Sequence, residues 1–191
     1  MEYTIKTISR SCKNILITGL PGSGKTTLIK KLVDELHEYN PVGFFTEEIR
    51  SHGRRQGFML KSLNEKKAGI LAHVDIKGPN HVGKYGVDLL AFELFLGKLN
   101  LLDPRSGFFI IDEIGKMECL SPKFRYLVTS LLSASSPVIA SIPLRAGGFI
   151  DEVKHRRDAH QIEVTARNRN KLLNDIVDLA RSTLDLYTKI G

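Results

Sequence analysis

GLPGSGKTT, residues 19–27, follows the apolar run Asn14-Ile15-Leu16-Ile17-Thr18 and leads into Leu28-Ile29-Lys30-Lys31-Leu32. A greasy stretch, a glycine-rich turn and an amphipathic stretch in that order read as strand, loop and helix. Gly19, Gly24, Lys25 and Thr26 fit the spacing G-x-x-x-x-G-K-[ST]. Each residue type has a physical reason. Glycines let backbone N–H groups close around phosphate oxygens, so Gly19, Leu20, Pro21, Gly22, Ser23, Gly24, Lys25, Thr26 and Thr27 are the candidate phosphate cradle. The helix beginning near Lys25 turns its free N–H groups and positive dipole end toward the same anion. Lys25 adds a full charge near the β and γ phosphates, and the Thr26 hydroxyl suits Mg²⁺. The bland alternative is a glycine-rich connection with an exposed lysine. Gly19-x-x-Gly22-x-Gly24 is not the dinucleotide fingerprint G-x-G-x-x-G, which disfavours a dehydrogenase.

Outward from the loop, a helix is expected over 25–38 with Leu28, Ile29, Leu32, Val33 and Leu36 on one face. Strands are expected at 44–49, 58–63 and 68–74, around the turn SHGRRQG, as a small hairpin-like excursion. An apolar helix over 86–102 ends at Asp103-Pro104, and Phe108-Phe109-Ile110-Ile111 reads as a strand buried on both faces. Ser121-Pro122 supplies an N-cap and a first-turn proline for a helix to 132. A strand at 138–142, a short charged helix at 148–157, a strand at 161–164 and a helix at 167–186 complete the pattern. The last helix carries the stripe Leu172, Leu173, Ile176, Val177, Ala180 and Leu184. Strands alternating with helices predict an α/β sandwich with a mostly parallel sheet, and no linker divides 1–191 into more than a single domain.

The strand at 108–111 ends in Asp112 and Glu113. A phosphate loop needs an acid at a buried strand end to hold Mg²⁺ through water, and Asp112 fills that place. Glu113 leaves the same strand end and can orient or deprotonate a water, or it is a solvated carboxylate. Residues to this point indicate a magnesium–nucleoside triphosphate complex. They leave open whether the γ-phosphoryl group goes to water, to a metabolite as in a kinase, or drives a partner as in a motor.

DEIGKME, 112–118, resembles the small nucleoside-triphosphatase family of thermophilic prokaryotes and animals. GFFTEEIRSHGRRQGF from Gly43, VGKYGVDLLAFE from Val82, ASIP at 140–143 and Asn168-Arg169 resemble further landmarks of that family, in order, over 14–180. The resemblance implies a RecA-like P-loop fold and Mg²⁺-dependent hydrolysis of ATP, GTP, CTP and UTP with weak base selectivity. A segment of about thirteen residues, Met1 to Lys13, precedes the strand that usually begins such chains. In the implied mechanism the amides of 20–26 hold phosphates, Lys25 and Mg²⁺ offset charge, and Glu113 aligns the water. The box also contains Lys116 and Glu118, for which the sequence supplies no role.

Remaining features are weaker. Arg54, Arg55, Arg145, Arg156 and Arg157 are candidate cations for the transferred phosphoryl group or members of a solvated basic face. Arg169 either stacks on the base or caps the last helix. Phe58 and Tyr85 are base contacts or core. Net charge is +7, and 47–85 hold eight Lys/Arg against four Asp/Glu. That bias suits nucleotides and gives only slight support to nucleic acid, since no nucleic-acid module accompanies it. Two cysteines without metal or pairing spacing, scattered histidines, no secretory signal and no bilayer-length apolar run suit a cytoplasmic protein. Oligomeric state is not legible.

Overall fold

The computed structural model describes residues 12–63, 66–99, 101 and 107–188. The strand β1, Asn14–Gly19, is buried along its whole length. Apolar residues on both faces require cover on both sides, and the chain supplies it with five helices. These are α1 (Lys25–Glu35), α2 (Leu89–Lys98), α3 (Pro122–Ser133), α4 (Phe149–Lys154) and α5 (Arg169–Thr188). The other strands are β2 (Pro41–Ser51), β3 (Arg54–Ser62), β4 (Ala68–His73), β5 (His81–Val82), β6 (Tyr85–Val87), β7 (Phe108–Asp112), β8 (Val138–Pro143) and β9 (Ala159–Glu163).

All nine form one sheet in the order β5-β6-β4-β3-β2-β7-β8-β1-β9. From β2 to β9 the neighbours run parallel, with Phe45 opposite Asp112, Ile111 opposite Ala140 and Gly19 opposite Pro143. Strand β8 therefore separates the loop-bearing β1 from the acid-bearing β7. In a parallel sheet the ligand crevice forms beyond the carboxyl ends of the strands, and both motifs leave their strands there.

Two cores face away from one another. Ile17, Leu32, Ile110, Ile139 and Ile176 belong to the one covered by α1 and α5. The core under α2, α3 and α4 is built around Phe44, whose ring meets Phe92, Phe95 and Phe124 edge-on at 6.3, 5.9 and 6.4 Å. Local chemistry fixes where the helices on that side start. Asp88 caps α2 by accepting from Ala91 N–H at 2.8 Å, and Ser121 caps α3 by accepting from Phe124 N–H at 3.0 Å.

Several boundaries differ from expectation. The excursion is not small: β3, β4, β6 and β5 extend the same sheet with four antiparallel strands. A tight hairpin, His81–Val82 with Tyr85–Val87, occupies the segment before the expected apolar helix, because Gly83 supplies the positive φ of 60° its turn needs. Helix α2 consequently starts at its Asp88 cap rather than at 86 and ends at Lys98 rather than at 102, where Leu99 N–H closes the last turn on Leu96 C=O; Asp103-Pro104 lies outside the described residues. Helix α1 stops at Glu35 and gives way to a 3-10 turn at His37–Tyr39. The charged helix shortens to Phe149–Lys154. The segment before Cys12 lies outside the described residues. No helix among those described is long and apolar enough to cross a membrane.

Candidate active site

The loop 19–24 folds back on itself through a hydrogen bond from Ser23 N–H to Leu20 C=O at 3.1 Å. Gly24 precedes α1 at φ 103°, a backbone region closed to ordinary side chains, and no side chain caps the helix. The first amides of α1 are thus left free for an anion. Lys25 is mostly buried, and its Nζ donates to Gly19 C=O at 3.2 Å, so the ammonium already bends back over the loop.

Asp112 is 1% exposed at the end of β7. Its Oδ1 accepts from Ser141 Oγ at 2.9 Å, whereas its Oδ2 has no hydrogen-bond partner among the described residues. Burial pushes its pKa above the usual carboxylate value. The Ser141 and Thr26 hydroxyls, Lys25 and the Thr46 amide oppose that push. Thr26 and Asp112 are therefore neighbours, as the sequence implies. A buried orphan carboxylate oxygen beside a hydroxyl is a hard-oxygen donor set that suits a magnesium ion keeping several of its waters. These residues fit Mg²⁺.

Glu113, half-buried, faces a cavity of about 400 Å³. Gly19, Leu20, Pro21 and Lys25 line it from the loop, Thr46 from β2, and Gly115, Lys116, Glu118 and Arg145 from the connections after β7 and β8. Burial raises the Glu113 pKa, Lys25 lowers it, and the Asp112 charge raises it again. A second cavity, about 430 Å³, lies on the opposite side of the loop between Gly24, Thr27, Lys31, Arg169 and Leu173. The phosphate loop thus separates a space facing Glu113 from a space facing Arg169.

The five candidate arginines divide cleanly. Only Arg145 lines the Glu113 cavity. Arg156 bonds Asp158 at 2.9 and 2.7 Å and Leu132 C=O at 3.2 Å, at the end of β1 remote from the loop, where Asp158 C=O accepts from Asn14 N–H. Arg157 follows in the same connection, its carbonyl accepting from Cys12 Sγ at 3.4 Å. Arg55 pairs with Glu48 and lies over the Phe58 ring, and Arg54 is exposed beside it. Phe58 lines the Glu113 cavity, not the one beside Arg169, and packs edge-on against Tyr85 at 5.2 Å. Three of the excursion's cations are paired with its own acids, Arg50 and Arg55 with Glu48 and Lys61 with Glu47, and Glu47 also takes Lys30 of α1. Cys12 and Cys119 are both free thiols, and no cluster of three or more His, Cys, Asp or Glu forms a metal centre among the described residues.

Sequence reasoning missed Ser141, Thr46 and Glu118. A hydroxyl inside VIASIP, an otherwise apolar buried strand, is itself a signal, since a buried polar group needs a partner. Thr46 likewise stands between Phe44-Phe45 and the acids Glu47-Glu48, and its buried Oγ1 has no partner.

A sequence profile described as NTPase matches residues 14–177. This chain belongs to that NTPase family. Nucleoside-triphosphatase THEP1 of Thermotoga sp. (strain RQ2) is 44% identical over 168 residues, 87% of this chain and 95% of that one. The cancer-related nucleoside-triphosphatase of Homo sapiens is 40% identical over 187 residues, 90% and 98% of the two chains. Among solved NTPase structures, THEP1 from Aquifex aeolicus superposes with a TM-score of 0.80 at 37% identity, covering 87% of this chain and 98% of that one. The solution structure of the human protein reaches 0.74 at 36% identity, covering 90% and 98%. The RecA-like α/β architecture expected from the sequence is the NTPase fold these share.

Proposed function

We propose that this chain, acting as one domain, hydrolyses nucleoside triphosphates to diphosphate and phosphate with Mg²⁺. The observation that carries the reading is the placement of Glu113 in a walled cavity with Lys25, beside an Asp112 whose second oxygen is unclaimed. The hydrolase names of the relatives support it over transfer to a metabolite.

The β and γ phosphates sit in the amides of 20–26, with Lys25 released from Gly19 C=O to meet them. Thr26 and Asp112 would hold Mg²⁺, which when bound would neutralise charge on the phosphate oxygens. Ser141 keeps the Asp112 carboxylate turned toward that position. Glu113 accepts a hydrogen bond from the attacking water and lines it up with the γ phosphorus, the cavity walls limiting where that water can stand. Arg145 lies on the same wall and offsets charge on the transferred group. On the other side of the loop the base lies against the Arg169 guanidinium. Stacking on a cation is indifferent to base edges, so ATP, GTP, CTP and UTP are all accepted. The setting is cytoplasmic.

The test is product analysis with the four triphosphates, in wild type and Glu113→Gln. The expected result is diphosphate and phosphate from each, and a variant that binds nucleotide with turnover reduced on the order of a hundredfold or more. Undiminished phosphate release by Glu113→Gln would remove Glu113 from the mechanism.

A further inference from the structure

Glu113 accepts no hydrogen bond among the described residues; burial and the charges of Lys25 and Asp112 are what act on it. That is a poor arrangement for a group that must hold a water within a fraction of an ångström, because a freely turning carboxylate loses the advantage of orientation. What lies against it is Gly115. A methyl group built on Gly115 would stand 3.2 and 3.3 Å from Cγ and Cδ of Glu113, and 2.7 Å from Oε2 of Glu118. The two carboxyl groups therefore lean on one spot from two sides, and the missing side chain at 115 is what lets them do so. Gly115 has no positive φ, so glycine is there for this space rather than for its backbone freedom.

Glu118 is a strange residue to bury as packing. It is 4% exposed in the 3-10 turn Glu118–Leu120, lines the same cavity as Lys25 and Glu113, and forms no ion pair among the described residues. The amides of Gly115 and of Glu118 itself face its carboxyl. The turn that carries it is pinned by Cys119 N–H to Gly115 C=O at 3.0 Å and by Ser121 N–H to Glu118 C=O at 3.1 Å. Upstream, Ile114 N–H is fixed to Ser141 C=O at 2.8 Å. A pinned turn thus presents one buried carboxyl to another that has no hydrogen-bond partner among the described residues.

We propose that Glu118 is a positioning residue, whose carboxyl bonds to that of Glu113 across Gly115 and fixes the direction in which Glu113 presents itself to the attacking water. This rests on the hydrolytic reading above. Burial and the nearby Glu113 charge push the Glu118 pKa up to about 8. At neutral pH it is then a neutral acid with an O–H to donate to the Glu113 carboxylate. Lys116 and Arg145, on the same cavity wall, stay free to meet substrate.

The decisive comparison is Glu118→Gln against Glu118→Met, with Gly115→Ala and Glu113→Gln alongside, reading kcat and KM separately. Gln keeps a donor at the same reach, and Met keeps the volume without one. The expected result is that E118M loses kcat by on the order of tenfold to a hundredfold while KM stays near wild type, and that E118Q recovers most of the turnover. G115A, which leaves both acids in place but forces them apart, loses kcat in the same way and serves if E118M does not fold. Wild-type kcat in folded E118M or in G115A, with E113Q inactive, would overturn the positioning role and leave the hydrolytic reading standing. Full turnover by E113Q would remove both together.

Discussion

Asp112 and Ser141 sit at the same level of two adjacent parallel strands and are joined by a 2.9 Å hydrogen bond buried from solvent. The bond leaves the other carboxylate oxygen, Oδ2, without a hydrogen-bond partner among the described residues, with the Thr26 hydroxyl nearby. Ser141→Ala removes the hydroxyl that bonds Oδ1 and leaves a buried acceptor short of a partner. Losing such a bond costs about 1–3 kcal/mol, and loss of an orienting partner behind a metal ligand typically lowers metal affinity about tenfold or more. The expected outcome is a lowered Tm and a magnesium titration of activity shifted to higher concentration. Thermal denaturation and initial rates across a magnesium series check it.

Gly24 meets Arg169 at the other end of the loop. A methyl group on Gly24 would come within 3.4 Å of Arg169 Cδ, and the residue's φ of 103° already excludes ordinary side chains. Gly24→Ala therefore strains the loop by about 1–2 kcal/mol through its backbone while its methyl only touches Arg169. Affinity for all four triphosphates falls together, about tenfold from that strain. Equilibrium binding with a fluorescent nucleotide reads it directly. A loss confined to one base would contradict the stacking assignment of Arg169.

How much of this was readable beforehand follows from which contacts are local. The cradle, Lys25 and Thr26 are contiguous in sequence, and their role depends only on a strand, a turn and a helix meeting in order. The place of Asp112 was legible because an acid ending a buried apolar strand, no specific signal alone, becomes one beside a phosphate loop. Ser141 was not, because its nearness to Asp112 exists only once β8 inserts between β7 and β1. Glu118 was hidden for another reason: nothing in its spacing shows that the chain turns back at Gly115 and buries it. The excursion was misjudged in size because the segment 81–87 is too short and too polar for strand periodicity to register, although Gly83 marks its turn.

Arg145 and Arg156 separate by place. Arg145 is exposed on the cavity wall and has no ion pair among the described residues, whereas Arg156 is tied to Asp158 and to Leu132 C=O far from the loop. Arg145→Ala is expected to lower kcat about tenfold or more with little change in Tm, since cations at transferring phosphoryl groups act mainly on the transition state. Arg156→Ala is expected to do the reverse, leaving kcat intact and costing about 1 kcal/mol of stability through lost, partly buried hydrogen bonds. Paired kinetics and melting curves on the two variants distinguish a catalytic cation from a structural one.

Glu118 also makes stability depend on pH in a direction unusual for a carboxylate. In the unfolded chain it releases its proton near the ordinary glutamate value of 4.5, but in the folded protein only near 8. Between those values the folded state binds more protons than the unfolded state, so unfolding grows easier as pH rises. The contribution is fully favourable below about pH 4.5, falls through the window at no more than about 1.4 kcal/mol per pH unit, and levels off above about 8. A salt-bridged carboxylate such as Glu47, held low by Lys30 and Lys61, runs the opposite way and loses its stabilisation on acidification. Glu118→Gln cannot ionise and fills nearly the same volume, so it should melt higher than wild type by a margin that widens from pH 5 to pH 8. Parallel melting curves across that range, free of nucleotide and metal, test this; a constant margin would mean that Glu118 is already ionised at pH 5 in the folded protein.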